Sequence, residues 1–211
     1  MKILVLGASQ GTGAEAVRAG LARGHDVTAF ARSPDKLVLE NSRLTRLKGD
    51  FHSPESVDGA VGGHDAVIVT ASSTSLKGFK ADPTYFSRGT GYAIEAMKKH
   101  GVRRLVVLSA LGAGDSRKLA GFIFDKLLIS FILKAPYEDH ERQEKLVKDS
   151  GLDWVIARPG RLTNGPARKK YVKRSEIVPV PMSISRADVA DFLVESAEVD
   201  TWVRQAVQLG G

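Results

Sequence analysis

Three glycines, two hydroxyls and one amide crowd into the stretch Gly7-Ala8-Ser9-Gln10-Gly11-Thr12-Gly13. Bare backbone N–H groups beside short polar side chains are suited to holding phosphate oxygens. The apolar run Lys2-Ile3-Leu4-Val5-Leu6 precedes this stretch, and a helical pattern follows it. The chain must therefore pass from strand to helix within a few residues, which the dihedral freedom of glycine permits. Gly11 and Gly13 leave no side chain where a pyrophosphate would approach. The new helix offers it free N–H groups and a positive dipole end. A second strand, Asp26-Val27-Thr28-Ala29-Phe30-Ala31, ends at Arg32. Strand, glycine turn, helix and strand in this order form a dinucleotide-binding unit. On that reading Gly7, Ser9, Gln10, Gly11, Thr12 and Gly13 contact the cofactor; an ordinary tight turn is the plainer alternative.

The tip of the second strand bears on which dinucleotide it is. An Asp or Glu there accepts hydrogen bonds from the ribose hydroxyls of NAD, whereas a basic residue meets the 2′-phosphate of NADP. This chain has Arg32-Ser33. A guanidinium pairs with phosphate in a two-pronged way, and a serine hydroxyl adds a donor. The pattern favours NADPH, with NADH as the lesser choice; the competing reading is a solvated surface arginine.

The scaffold is an alternation. Further strands are expected at Leu44–Lys48, Asp65–Thr70, Arg104–Leu108, Leu152–Ala157 and Val203–Leu209. Helices are expected to start at Ser53-Pro54 and to run over Thr84–Lys99, Glu138–Asp149 and Arg186–Ser196. Apolar runs of this length suit buried parallel strands. The alternation predicts an α/β fold: a doubly wound, mostly parallel sheet with helices on both faces. With 211 residues and no evident repeat or linker, residues 1–211 read as one domain.

Composition narrows the function. Cysteine is absent, which excludes disulfides, thiolate zinc sites and a cysteine nucleophile, and fits a cytoplasmic protein. No secretory leader is recognisable ahead of the first strand. The net charge of +7 gathers in Lys98–Arg104 and Arg168–Arg174. The first run suits a helix C-terminus. Neither is joined by a recognition helix or stacking aromatics, so nucleic acid is not expected as a partner. Glu138, Asp139, Glu141 and Glu144 share a helix with Arg142 and Lys145 at salt-bridge spacing, which reads as a solvated charged face. No histidine pair has ligand spacing, so no metal is expected. Ser185-Arg186-Ala187-Asp188 reads as a helix start with Ser185 as cap, a structural feature.

Several stretches taken together resemble a known family. They are Gly7 to Gly13, Ala31-Arg32-Ser33-Pro34, Gly49-Asp50, Arg104 to Ser109, Ser150-Gly151-Leu152-Asp153-Trp154, Arg158-Pro159-Gly160 and Ser185 to Ala190. The chain is similar to atypical short-chain dehydrogenases/reductases with an NAD(P)-binding Rossmann domain. Within them it most resembles the small branch of biliverdin-IXβ reductase, also termed flavin reductase, and the NmrA-like repressor-type proteins. It departs from many atypical members in having Gln10 where they place glycine. The resemblance implies that Asp50 and Phe51 lie beside the adenine. It implies that Thr70, Ala71 and Ser72 pass the ribose and pyrophosphate, that Ser109 ends a strand at the nicotinamide, and that Arg158, Pro159 and Gly160 close its other side. The carboxyl ends of parallel strands are where open α/β sheets bind ligands, which supports these positions separately.

Most short-chain dehydrogenases use a tyrosine with a lysine four residues on. Here the residues four beyond Tyr85, Tyr92, Tyr137 and Tyr171 are Gly89, Ala96, Glu141 and Ser175. The missing pair argues against ordinary alcohol dehydrogenation and against sugar epimerisation by the usual route. Flavins, quinones and linear tetrapyrroles ask less, because the protein need only bind and order two partners while solvent supplies the proton. Ser109 is the first choice for a polar group at the reacting centre. Tyr137 and His140 could hold the substrate or relay a proton, His140 being titratable near neutrality. The apolar segment from Leu119 to Leu133 is too short for a membrane span, which needs about 20 residues. It suits either a wall or lid over a flat aromatic substrate, or helix packing within a monomer or across a homodimer. Two functions remain open: an NADPH-dependent reductase of a conjugated acceptor, and an NADP(H)-binding redox sensor without turnover.

Overall fold

The computed structural model describes residues 1–71, 82–119 and 134–211. In chain order the strands are β1 (Lys2–Leu6), β2 (Asp26–Ala31), β3 (Leu44–Lys48), β4 (Ala66–Val69), β5 (Arg104–Leu108), β6 (Asp153–Pro159), β7 (Arg161–Thr163), β8 (Val172–Arg174), β9 (Ser183–Ser185) and β10 (Gln205–Gly210). The helices are α1 (Gly11–Ala22), α2 (Pro54–Val61), α3 (Tyr85–His100), α4 (Lys134–Lys148) and α5 (Arg186–Glu198).

Eight strands form one sheet in the order β3-β2-β1-β4-β5-β6-β10-β8. Every pair in it is parallel except β8, which runs antiparallel to β10. This is the Rossmann arrangement, and the strand order reverses between β1 and β4. The crevice outside that switch point is where such sheets take ligands.

Strand alternation builds a core on each face. Ile3 and Val5 of β1 point into one, with Val17 of α1 and Phe192 and Leu193 of α5. Leu4 and Leu6 point into the other, with Val57 of α2, Met97 of α3 and Val147 of α4. A sheet covered on both faces needs apolar residues at successive positions, and β1 and β4 are apolar and buried almost throughout. β3 lies at the sheet edge, and its burial is accordingly partial.

Two caps match the sequence reading. Ser53 Oγ accepts from Ser56 N ahead of Pro54, and Ser185 Oγ accepts from Asp188 N. Other features correct it. The three-residue strands β7, β8 and β9 carry too little periodicity to be read from sequence. Among the described residues helix α4 already runs from Lys134, ahead of Glu138. The acidic face of α4 is not uniformly solvated: Asp139 is 0% exposed and Glu144 2%. Ser72 and the apolar residues 120–133 lie outside the described residues. Among the described residues no helix is long and apolar enough to cross a membrane, and no cluster of His, Cys, Asp or Glu could hold a metal.

Candidate active site

The glycine turn is built by close approach. Gly7 N and Ala8 N both donate to Phe30 O, at 3.0 and 3.1 Å, which pins the turn to the end of β2. Gly7 has φ +92°, and a Cβ there would lie 2.6 Å from the Ala71 backbone. A Cβ on Gly13 would lie 2.2 Å from Gly7 O and 2.6 Å from Thr70 Oγ1. The missing side chain of Gly13 therefore faces protein, not ligand, and lets α1 seat against the turn. Gly11, at φ +58°, meets no backbone at its Cβ position, only the Arg186 side chain at ordinary contact distance, and supplies the conformation instead. Gln10 precedes α1 in extended conformation, its side chain does not cap the helix, and no acid stands in the first turn. The leading N–H groups of α1 are left for an anion. Thr70 is buried, and its hydroxyl donates to Leu6 O at 3.0 Å, so it ties β4 to β1 beneath the turn.

Beside the turn lies a cavity of about 360 Å³. Gly7, Ser9, Gln10 and Ala71 line its turn side, and Arg32, Ser33, Asp50 and Phe51 its far side. Lys36 and Tyr85 also line it, and the sequence reading had missed both. Arg32 and Lys36 make no ion pair among the described residues, which suits a phosphate arriving from outside. Lys36 was legible only as one more surface cation; the short 3-10 turn Pro34–Lys36 brings it back beside Arg32. Tyr85, at the start of α3, meets the His52 ring edge-on at 4.3 Å. Burial raises the Tyr85 phenol above its ordinary value. Asp50 Oδ1 accepts from His52 N at 3.0 Å, so this residue caps a turn as well as lining the cavity.

At the carboxyl ends of β5 and β6 lies a buried polar cluster. Ser109 is 5% exposed, and its hydroxyl donates to Glu144 Oε1 at 2.8 Å. Arg158, 0% exposed, grips the same carboxylate with Nε at 2.8 Å and Nη2 at 2.5 Å. A third arm of Arg158 reaches Asp115, and Lys148 Nζ stands 3.6 Å from Glu144 Oε2. Burial works against the Arg158 charge, but Glu144 and Asp115 outweigh it and hold the guanidinium above its ordinary value. Asp115 is lowered: desolvation pushes its carboxyl up, and Arg158 more than reverses this. The Arg158 side chain is thus committed to the ion pair. Pro159 and Gly160 bring backbone: Pro159 O accepts from Leu111 N, and Gly160 N donates to Leu209 O.

Tyr137 and His140 both sit on α4. The Tyr137 hydroxyl donates to Leu111 O at 3.0 Å, and burial raises its pKa. The His140 ring stacks on Phe86 with centroids 4.0 Å apart. Its Nδ1 meets Gln143 Oε1 at 2.9 Å, while Gln143 Nε2 donates to Thr90 Oγ1. A carbonyl oxygen only accepts, so His140 Nδ1 carries the proton. Burial lowers the His140 pKa, ahead of the opposing pull of Gln143, Glu144 and Asp139, and keeps the ring neutral. Tyr137 and His140 therefore lie on α4 and Ser109 bonds to its Glu144, but each donates its side-chain hydrogen bond inside the protein.

A family model described as NAD(P)H-binding matches residues 7–200. The chain belongs to this NAD(P)H-binding family. Its glycine turn, uncapped α1 and cation-lined cavity fit a nicotinamide dinucleotide. A protein of Bacillus subtilis (strain 168) bearing the name uncharacterized sugar epimerase YhfK is 29% identical over 190 residues, covering 88% of this chain and 82% of its own. Sanguinarine reductase of Eschscholzia californica is 26% identical over 187 residues, covering 83% of this chain and 64% of its own. Among solved structures, ChuY, an anaerobillin reductase of Escherichia coli O157:H7, superposes with a TM-score of 0.81 at 23% identity. That alignment covers 100% of this chain and 97% of ChuY, and confirms the Rossmann fold of the NAD(P)H-binding chain.

Proposed function

We propose that the chain is an NADPH-dependent reductase whose electron acceptor is a flavin, a quinone, a biliverdin-like tetrapyrrole or another conjugated small molecule. One observation carries this reading: none of the three candidate catalytic residues has a proton to give. The Ser109 hydroxyl donates to Glu144, Tyr137 to Leu111, and His140 through Nδ1 to Gln143. A simple ketone needs an acid at its oxygen as hydride arrives. A conjugated acceptor spreads the incoming charge and takes its proton from water.

NADPH, when bound, supplies the hydride. The chain's residues do the rest by binding and orientation. Gly7 to Gly13 hold the phosphates, Arg32, Ser33 and Lys36 meet the 2′-phosphate, and Asp50, Phe51 and Tyr85 surround the adenosine end. Thr70 and Ala71 shape the floor, and Ser72 belongs to the same reading. Ser109, Pro159 and Gly160 border the reacting centre, with Arg158 stiffening it from behind. The reductase names of the sanguinarine and anaerobillin relatives support this reading, whereas an epimerase name sits poorly with the absent Tyr-Lys pair. The same reading places the protein in the cytoplasm as a monomer or homodimer, without nucleic acid or membrane.

The test is oxidation of NADPH, then NADH, followed by nicotinamide absorbance with FMN, riboflavin, quinones and biliverdin. Saturable turnover that prefers NADPH is the expected result. Tight NADPH binding without turnover on any acceptor would replace the reductase with a redox sensor.

A further inference from the structure

Arg186 opens α5 and is half-buried. Its Nη1 donates to Asn164 Oδ1 at 2.7 Å, and no carboxylate pairs with it among the described residues. Its Nε lies 3.6 Å from where a Cβ on Gly11 would stand. With Gly11 and Asn164 it lines a second cavity, of about 770 Å³, which shares Ser9, Gln10 and Lys36 with the first. Arg18 and Glu15 also line this cavity but pair with each other at 2.8 Å. Arg186 and Lys36 are the cations there without a counter-charge among the described residues.

Two positive features thus converge on Gly11: a guanidinium held by a neutral amide, and the leading N–H groups of α1, which has neither side-chain cap nor acid. Like charges brought together cost stability unless an anion lies between them. The position is deliberately supported. Asp188, in the first turn of α5, accepts from Arg168 N and Lys169 N at 2.8 Å each, fastening the loop that follows Asn164.

We propose that Arg186 binds the pyrophosphate of the cofactor, bringing a charge from the C-terminal part of the chain to the N-terminal glycine turn. This rests on the NAD(P)H site at that turn and deepens it. Arg32 lines the first cavity and not the second, while Arg186 lines the second and not the first. The two arginines therefore divide the work. Arg32 selects for the 2′-phosphate, and Arg186 sets affinity for any dinucleotide, because the pyrophosphate is common to NADPH and NADH.

The experiment is a fluorescence titration of the wild type, Arg186→Gln, Arg186→Lys and Arg32→Gln with NADPH and with NADH. Competition by adenosine 2′-monophosphate, which has the 2′-phosphate but no phosphate at the 5′ position where the pyrophosphate begins, completes the set. A charge-assisted hydrogen bond predicts that Arg186→Gln weakens both dinucleotides alike by about tenfold or more. Binding of adenosine 2′-monophosphate is expected to change by less than about twofold, and Arg186→Lys to recover part of the loss, since lysine keeps the charge without the fork. Arg32→Gln is expected to weaken NADPH and adenosine 2′-monophosphate but not NADH. Should Arg186→Gln be poorly folded, Asn164→Ala, which frees the guanidinium without removing it, is expected to weaken both dinucleotides to a smaller degree. Unchanged affinity in folded Arg186→Gln would overturn the assignment. A loss confined to NADPH and adenosine 2′-monophosphate would also overturn it, moving Arg186 to the 2′-phosphate. Failure of the wild type to bind either dinucleotide would remove the underlying site and this inference with it.

Discussion

Glu144 accepts the hydrogen bond of the Ser109 hydroxyl, and Arg158 donates to both oxygens of Glu144. Sequence spacing had put Glu144 among solvated charges, because residues Glu141 and Lys145 beside it are of that kind. What distinguishes Glu144 is its partner Arg158, fourteen residues on in another element, and no local period reveals that. Buried ion pairs stabilise little in net terms, yet breaking one leaves a charge stranded. Glu144→Leu alone and Arg158→Met alone are each expected to cost about 3–5 kcal/mol. The double substitution, which replaces the pair with apolar bulk, is expected to cost much less than either single one. Urea unfolding of the three variants checks this, and simple additivity of the single losses would show that the pair is not coupled.

At the scale of elements, α4 is the hub. Its Asp139 accepts from Phe86 N at 2.6 Å and from Ser87 N and Oγ, capping α3 from another helix. Thr84, the residue at the cap position of α3, makes no side-chain cap of its own. His140 lies between the same helices, against Phe86 and Gln143, with Asp139 and Glu144 as its charged neighbours. Burial puts its folded pKa below the unfolded value of 6.5. As pH falls through about 6.5 the unfolded chain binds the proton first. The stability contributed by the neutral ring is therefore present above that pH and is lost progressively below it. Urea midpoints at pH 7.5 and about 5.5 should fall more for the wild type than for His140→Gln. Equal falls would mean that His140 stays charged or solvated. The helices themselves were readable from their periodicity, but the start of α4 was not. Its described part opens with Lys134 to Tyr137, where Pro136 reads as a helix breaker.

For the whole molecule, the candidate site is a product of both ends of the chain. Gly7 to Gly13 come from the first βα unit, Tyr85 and Ser109 from the middle, Arg158 and Arg186 from the C-terminal part. A ligand bridging them stabilises the folded chain by mass action. NADPH at about one hundred times its dissociation constant should add roughly 2.7 kcal/mol, a rise in Tm of about 5 °C or more for a chain of this size. NADH at the same concentration should raise it less, because it offers no phosphate to Arg32 and Lys36. A thermal melt with each nucleotide is the measurement, and equal shifts would remove the preference for NADPH.

The sequence by itself determined the strand-turn-helix start, the alternation of strands and helices, and the basic residue at the tip of β2. These are local facts: glycine dihedrals, apolar runs and a single side chain at a strand end act over a few residues. The tertiary structure alone decided that Gly13 packs against Gly7 and Thr70 and that Lys36 joins Arg32. It also decided that Glu144 and Asp139 are buried, and that Arg186 reaches the glycine turn. Each of these depends on a partner distant in sequence or on a turn in the backbone, and burial is a property of what is packed opposite. A residue's type and spacing say what chemistry it can do, and the neighbours that folding supplies decide which part of that chemistry is left free for a ligand.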